Sequence, residues 1–455
     1  MLGTTIIIQT KNMFSQKLLT LVVSSSLLCG SVAIAAEKPD IVFILSDDQG
    51  SYDVGWRGSE IKTPNLDKLA KAGARLDNFY VQPICSPTRA ALMTGRYPMR
   101  YGLQLRVIRP ASTYGLPLEE RTLPQALREA GYTTAISGKW HLGSVTKEYW
   151  PNQRGFDHAY GHLFGMTDYF EHTREGKLDW WRNGEPNKDE GYTTELIGRE
   201  AVNVIRKQPK DKPLFLYVPF NAVHYPFQVP EKYKEPYGHL KEPRRTYAGM
   251  LAAMDEAIGK IVSAMDETGR RKNTLFIFSG DNGGYKPGEV TDNGGLRSGK
   301  GSLYEGGVRT PAFATWENRI PAGSSDALAH MVDWYPTLLK LTGASLKQKL
   351  PLDGKDIWPS ITQGKPSPRK EILLNTTPTS GALRVGDWKF VMYEGGTGTK
   401  LELFNLADDP SEKKNLAKEN PKKLKELRAR YDELAKQAVP PKSEGAKQSE
   451  SSEAP

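Results

Sequence analysis

The chain has 455 residues, a formal net charge of +9 and two cysteines. Acidic and basic residues are interspersed with no long basic run, which argues against nucleic-acid binding. The mild positive excess suits an anionic substrate, although an ordinary basic surface accounts for it equally well.

Residues 1–36 read as an export signal. Lys11 and Lys17 precede the apolar run "LLTLVVSSSLLCGSVAIA", which ends in Ala33-Ile34-Ala35. The run is too short and too rich in Ser and Gly for a membrane anchor, so none is expected. Cys29 follows Leu28 and is expected to leave with the signal, which lowers the net charge to +7 and keeps Cys85 alone. A lone cysteine forms no internal disulfide, and a bare thiol in an oxidising compartment is exposed to oxidation. The plain alternative is a buried structural thiol.

Taken in chain order, four short apolar runs read as buried strands: "IVFIL" (41–45), "TTAIS" (133–137), "PLFLYV" (213–218) and "TLFIF" (274–278). Helical segments separate them, at 63–73, 122–131 and 247–269. The alternation predicts an α/β fold, a large mostly parallel sheet sandwiched by helices. It occupies 37–345. After "MVDWYPTLLKLTG" the texture changes: alternating segments at 371–375, 382–393 and 401–406 predict a small antiparallel sheet, closed by a charged amphipathic helix over 420–438. This C-terminal α+β subdomain takes 346–440, and the polar residues 441–455 are expected to form a disordered tail.

Each predicted strand runs into a polar cluster. The first reaches Asp47-Asp48, the second Lys139 and His141, the third His224, and the fourth Asp281-Asn282. Ligand sites of open α/β sheets lie beyond the carboxyl ends of the strands, so these groups converge on one edge. Asp47, Asp48, Asp281 and Asn282 form an all-oxygen set suited to Ca²⁺ or Mg²⁺. Either pair alone would read as a turn.

Cys85 opens "CSPTRAALMTGR". Ser86 is expected to cap a helix, Pro87 to sit in its first turn and Gly95 to end it. That puts Cys85 at a helix N-terminus, which favours anions, with Arg89 one turn along. A cysteine-dependent phosphatase spaces its Cys and Arg more widely, and no cysteine-protease signature surrounds this Cys.

Here the sequence resembles the formylglycine-dependent sulfatases, and within them the arylsulfatase B or N-acetylgalactosamine-4-sulfatase type. The resemblance rests on "CSPTRAALMTGR", "DIVFILSDDQG", "GKWHLG", "RGFDHAYG", "FSGDNGG" and "GKGSLYEGGVRTP", and covers residues 38 to 345. It implies that a maturing enzyme oxidises Cys85 to formylglycine. It implies one Ca²⁺ held by Asp47, Asp48, Asp281, Asn282 and the modified Cys85. A hydroxyl of the hydrated aldehyde would attack sulfur, with Arg89 and Lys139 stabilising charge. His224 and Lys300 would bind sulfate and assist the leaving oxygen, and His141 would take the proton that lets sulfate go. Taken alone, His224 reads equally as a packed loop histidine and Lys300 as a solvated lysine.

The implied substrate is a sulfated oligo- or polysaccharide met in the periplasm or outside the cell, with sulfate on O4 of a galacto-configured sugar such as those of carrageenan. His158, His162, Tyr169, His172, Trp180 and Trp181 are candidates to line the sugar cleft, the alternative being packing within a long insertion. Competing functions are a phosphoester or phosphonate hydrolase of the same superfamily and an inactive glycan-binding relative. The missing zinc-ligand pattern speaks against the first and the retained motif residues against the second.

Overall fold

The computed structural model describes residues 38–395 and 398–443. The expected leader (1–36) and residues 444–455 of the expected tail lie outside the described residues. Each apolar run forms its strand: β1 (Asp40–Ser46), β2 (Thr133–Lys139), β4 (Leu214–Pro219) and β5 (Thr274–Gly280), with β3 (His158–His162) between the second and third runs. They lie side by side in the order β5-β1-β4-β2-β3, all parallel. The antiparallel β6 (Ala312–Thr315) continues the sheet beyond β5, and short strands extend both edges to ten strands among the described residues.

The stretches 41–45, 214–218 and 275–278 are apolar on every residue because both faces of the sheet are covered. Ile41, Phe43 and Leu45 point to one side, against Leu92 and Met93 of helix α1 (Cys85–Thr94) and against Leu123, Leu127, Trp334 and Leu338. Val42 and Ile44 point to the other, against Leu196 and Ile197 of α2 (Thr193–Lys207) and Met250, Met254 and Ile258 of α3 (Arg244–Glu267). All five strand residues are fully buried. At about 1.5–3 kcal/mol per buried large apolar side chain, this one strand anchors two cores at once.

The C-terminal segment forms four antiparallel strands: β7 (Glu371–Leu374), β8 (Gly381–Val385), β9 (Trp388–Gly395) and β10 (Gly398–Asn405). The expected run 382–393 is split by a turn, where Gly386 adopts φ +56° and Asp387 follows. Leu383, Phe390 and Leu403 pack on Leu427 and Tyr431 of α4 (Pro421–Ala435). The other face packs on Tyr80, Leu303 and Val308 of the large unit. No helix among the described residues is long and apolar enough to cross a membrane.

Between the two sheets, the Lys389 ammonium of β9 lies 2.8 Å from Glu305 Oε1 and 2.8 Å from Glu412 Oε1, all three side chains fully shielded from solvent. Glu412 also accepts from the Glu305 backbone N–H at 2.6 Å. Removing one partner of a buried ionic cluster leaves charge without compensation. Lys389→Met is therefore expected to lose about 3–5 kcal/mol of unfolding free energy, read from denaturant titration. A loss below 1 kcal/mol would mean that the cluster does not tie the small sheet to the large one.

Candidate active site

The carboxyl ends of β5, β1, β4 and β2 meet because the backbone continues its parallel pairing beyond the strands. Asp281 N–H donates to Ser46 O (3.0 Å), Asp47 N–H to Ala222 O (3.0 Å) and Val223 N–H to Asp47 O (2.8 Å). This aligns Asp47, Asp281 and the 221–224 loop on one edge.

Helix α1 enters that edge from one face of the sheet. Cys85 is its first residue and Ile84 occupies the cap, so the expected cap at Ser86 is corrected: the helix begins two residues earlier. Ser86 is used otherwise: its hydroxyl donates to His141 O (3.0 Å) and accepts from Ile108 N–H (3.0 Å). Gly95 ends the helix in the left-handed region at φ +66°.

Four residues after Cys85, on the same helix face, Arg89 is completely buried. Its guanidinium donates to Asp281 Oδ2 (2.8 and 3.1 Å), Asp47 Oδ2 (3.2 Å) and Lys139 O (3.1 Å). Burial works against its charge, but Asp281 and Asp47 outweigh that and raise its pKa. Lys139 Nζ pairs with Asp47 Oδ2 inside the same cluster.

The Cys85 sulfur lies 3.6 Å from Asp47 Oδ1. Burial pushes the thiol's pKa up, and the negative charges of Asp281 and Asp47 push it further. A thiolate nucleophile needs the reverse environment. The site is thus built around position 85 but disfavours thiolate chemistry there.

Across the edge, Lys300 Nζ donates to Asp48 Oδ2 (2.7 Å) and to His224 Nε2 (3.1 Å). His224 Nδ1 faces Tyr225 O, a pure acceptor, so Nδ1 carries the proton and Nε2 is the lone pair that accepts from lysine. Burial and nearby Lys300, offset in part by Asp48, push His224 down to about 3. Burial also opposes the Lys300 charge, yet Asp48, Cys85 and Asp47 prevail and raise it. At neutral pH the pair is ammonium plus neutral imidazole.

His141 is assigned by the same logic. Nε2 lies 2.9 Å from Ile108 O and carries the proton, while the buried Nδ1 has no hydrogen-bond partner and presents a lone pair. Burial, then the charges of Lys139 and Arg89, hold its pKa well below the usual value. Gly165 permits a close approach here, since a Cβ at that position would sit 2.5 Å from His141 Nε2.

One ligand atom each from Asp47, Asp48, Cys85 and His224 lies within 4.8 Å of the others. His224 has its lone pair engaged by Lys300, whereas Asn282 offers a buried Oδ1 with no hydrogen-bond partner, its amide nitrogen bonded to Asp48 Oδ1 (2.7 Å) and Gly283 O (3.0 Å). An orphaned amide oxygen beside three buried carboxylates is the donor set of a hard cation. The residues therefore fit a divalent metal.

A cavity of 380 Å³ opens above Cys85, walled by His141, His224 and Lys300 and by Arg106, Arg109 and Arg174. The three arginines were outside the sequence candidates because they lie on a loop and a short hairpin away from the strand-end pattern. None of the six expected sugar-cleft residues lines it. Trp180 and His162 are buried and stack at 6.2 Å, and His172 stacks on Trp180 at 4.7 Å with its Nε2 bonded to Gly191 O (2.9 Å). Trp181 packs on Trp150 and bonds Asp179 Oδ1 (2.9 Å), and His158 pairs with Glu200 Oε1 (2.8 Å). Buried Tyr169 directs its hydroxyl at Asn221 O (2.8 Å) and His224 O (2.9 Å), so it buttresses the loop that carries His224. Apolar collapse decided their place: Tyr169 and Trp180 join the core that Val42, Ile44, Leu196 and Ile197 form on one face of the large sheet.

The Sulfatase family profile matches residues 39–344. Arylsulfatase J of Mus musculus is 38% identical, over 89% of this chain and 77% of its own. N-acetylgalactosamine-6-sulfatase of Mus musculus is 32% identical, over 77% and 71%. The crystal structure of Ps i-CgsB in complex with k-i-k-neocarrahexaose superposes with a TM-score of 0.82 at 35% identity, covering 89% of this chain and 94% of that one.

The pairing of His158 with Glu200 gives a pH test. Burial would raise the Glu200 pKa, but His158 and Arg182 hold it down to about 2. A depressed carboxylate stabilises the fold above its unfolded pKa and loses that contribution as pH falls toward its folded value. Glu200→Gln should lower the thermal midpoint at pH 7, and the gap to the parent should close between about pH 4.5 and pH 2. A gap independent of pH would remove the charge from the explanation.

Proposed function

The chain belongs to the sulfatase family and is a sulfatase; from that premise we propose that it hydrolyses the O4 sulfate of a galacto-configured sugar in a polysaccharide such as carrageenan, after export to the periplasm or cell exterior. The observation that carries this reading is Cys85 at a helix N-terminus on a cavity floor, its thiol disfavoured as a thiolate and ringed by Arg89, Lys139, Lys300 and two histidines. The structure of Ps i-CgsB with a neocarrahexaose supports the galactan, and the N-acetylgalactosamine of the mouse relative supports the galacto ring.

The family uses formylglycine made from the signature cysteine and a divalent metal. At position 85, formylglycine would supply one hydroxyl as nucleophile and a second for releasing sulfate. The metal, which we take to be one Ca²⁺ held by Asp47, Asp48, Asp281, Asn282 and residue 85, would supply positive charge that favours an ionised oxygen.

Each remaining role falls to a side chain whose protonation follows from its surroundings. Arg89 and Lys139 fix positive charge beneath the reacting group, and fixed donors act most strongly in a water-poor site. Asp281 is pushed up by burial and by Asp47, which suits a carboxylate that accepts the nucleophile's proton. His141 offers a neutral, unpartnered Nδ1 to take the second proton. At neutral pH Lys300 keeps its ammonium charge while His224 is a neutral imidazole, so we assign Lys300 as the donor to the leaving sugar oxygen, with His224 fixing its aim. An axial O4 sulfate projects from its ring and can reach a recessed floor. Residues 346–440 we take as a subdomain that braces the 303–308 segment after Lys300.

Active preparations should carry an aldehyde in place of the Cys85 thiol by peptide mass spectrometry, and full activity from protein with only the thiol would contradict the assignment. Lys139→Ala should lower kcat by about 10²–10³-fold, as expected for a lost charge donor. Chelation should abolish turnover and Ca²⁺ should restore it, whereas restoration by zinc alone would refute the oxygen-ligand site. The name of the mouse 6-sulfatase favours a second reading, O6 sulfate. Oligosaccharides sulfated only at O4 or only at O6 discriminate the two, and activity confined to O6 would end the O4 proposal.

A further inference from the structure

The catalytic floor is already charge-balanced. Asp47, Asp48 and Asp281 face Arg89, Lys139 and Lys300, each acid paired with at least one of these cations. Arg106, Arg109 and Arg174 stand outside this set, on the wall of the cavity whose floor is Cys85.

Their positions are held by the backbone. Ile108, between the first two, is bonded through its N–H to Ser86 and through its carbonyl to His141. The segment Leu105–Pro110 is thus pinned to the floor, with Arg106 and Arg109 exposed on either side of the pin. Arg106 makes no hydrogen bond or ion pair with the described residues. Arg174 sits on the short hairpin Thr173–Arg174 and Lys177–Leu178, its Nε 3.3 Å from Glu175 Oε1. That acid is 66% exposed, and an exposed pair of this kind is too weak to withhold Arg174 from a better-placed anion.

A second cavity, of 340 Å³, adjoins the first and shares Met166 and Arg174 with it. Each lies within the range of about 300–1,000 Å³ that encloses small ligands. The second cavity is lined by Tyr225, a ring 56% exposed and next in sequence to His224, so its position follows that of the proposed reaction centre. Its acids are otherwise engaged or peripheral. Asp168 accepts from Phe170 N–H (2.9 Å), Glu171 N–H (2.8 Å) and Gln228 Nε2 (2.7 Å), and Glu175 points to solvent.

We propose that Arg174, with the Tyr225 ring, forms a subsite for the sugar flanking the one that loses sulfate, and that it recognises a second anionic group on that sugar. This rests on the sulfatase reading and narrows its substrate to multiply charged glycans. A guanidinium fork pairs bidentately with sulfate or carboxylate, and an aromatic face takes the apolar C–H face of a pyranose. The two shared wall residues make one continuous groove, so a flanking ring enters the second cavity while its neighbour stays over Cys85.

The test separates recognition from turnover by using full-length Cys85→Ala protein, which binds without reacting. Calorimetric titrations compare three galacto-configured tetrasaccharides: one singly sulfated, one with a second sulfate on the flanking sugar, and one with a uronate carboxylate there. The parent is expected to favour one or both doubly charged ligands by about tenfold or more, the range of charge-assisted hydrogen bonds. Arg174→Ala should shrink that preference, and 0.5 M salt should shrink it as well. Arg174→Lys should restore part of it, since charge returns without the fork. Equal affinity for all three ligands in the parent would overturn the subsite, as would variants that weaken all three alike. Failure of the sulfatase reading shows separately, as absence of sulfate release from any of these ligands by mature enzyme with residue 85 intact.

Discussion

The buried Arg89 guanidinium is the constraint from which the rest of the site follows. It spans Asp47 at the end of β1, Asp281 at the end of β5 and the carbonyl of Lys139 at the end of β2. Three strand ends and one helix are thereby held by a single planar cation with several donors. Because Arg89 lies one helical turn after Cys85, fixing the guanidinium also fixes the thiol over the carboxylates. Burying three carboxylates would be prohibitive without such compensation, and the cluster supplies a cation for each.

That arrangement explains why the histidines and Lys300 differ in charge. The imidazoles of His141 and His224 are buried among lysines and an arginine and stay neutral, while Lys300 stands beside Asp48 and keeps its charge. A neutral imidazole with an unpartnered nitrogen accepts protons, and a charged lysine donates them. The same surroundings raise the thiol, so the sulfur is a poor nucleophile in the pocket built around it. Environment, more than residue type, sets each role.

The two sheets divide the work. The parallel sheet positions the reacting groups at its carboxyl edge, and the four-stranded sheet packs on the segment that follows Lys300. Lys389, Glu305 and Glu412 close that contact with charge in the dry interface. Such a cluster contributes modest net stability against apolar alternatives, but its geometry admits one docking. The wall arginines belong to neither of these sheets and lie on a loop and a short hairpin, where specificity can vary while the floor stays constant.

Local physics made much of this protein legible from the residues alone. Runs of four to six apolar residues between amphipathic segments have one economical arrangement, a parallel sheet covered on both faces, and polar clusters after each run must then share an edge. Asp47, Asp48, Cys85, Arg89, Lys139, His141, His224, Asp281 and Asn282 could be named because each lies within a few residues of a strand or helix end. Contacts made between distant segments were not legible. That Ile108 pins an arginine-bearing loop to Ser86 and His141, that Tyr169 props the His224 loop, and that Trp180 and His172 stack inward depend on packing between segments far apart in the chain. An aromatic in sequence has the same signature whether it packs inside or lies open to a ligand, and only the competition for burial in the folded chain separates the two.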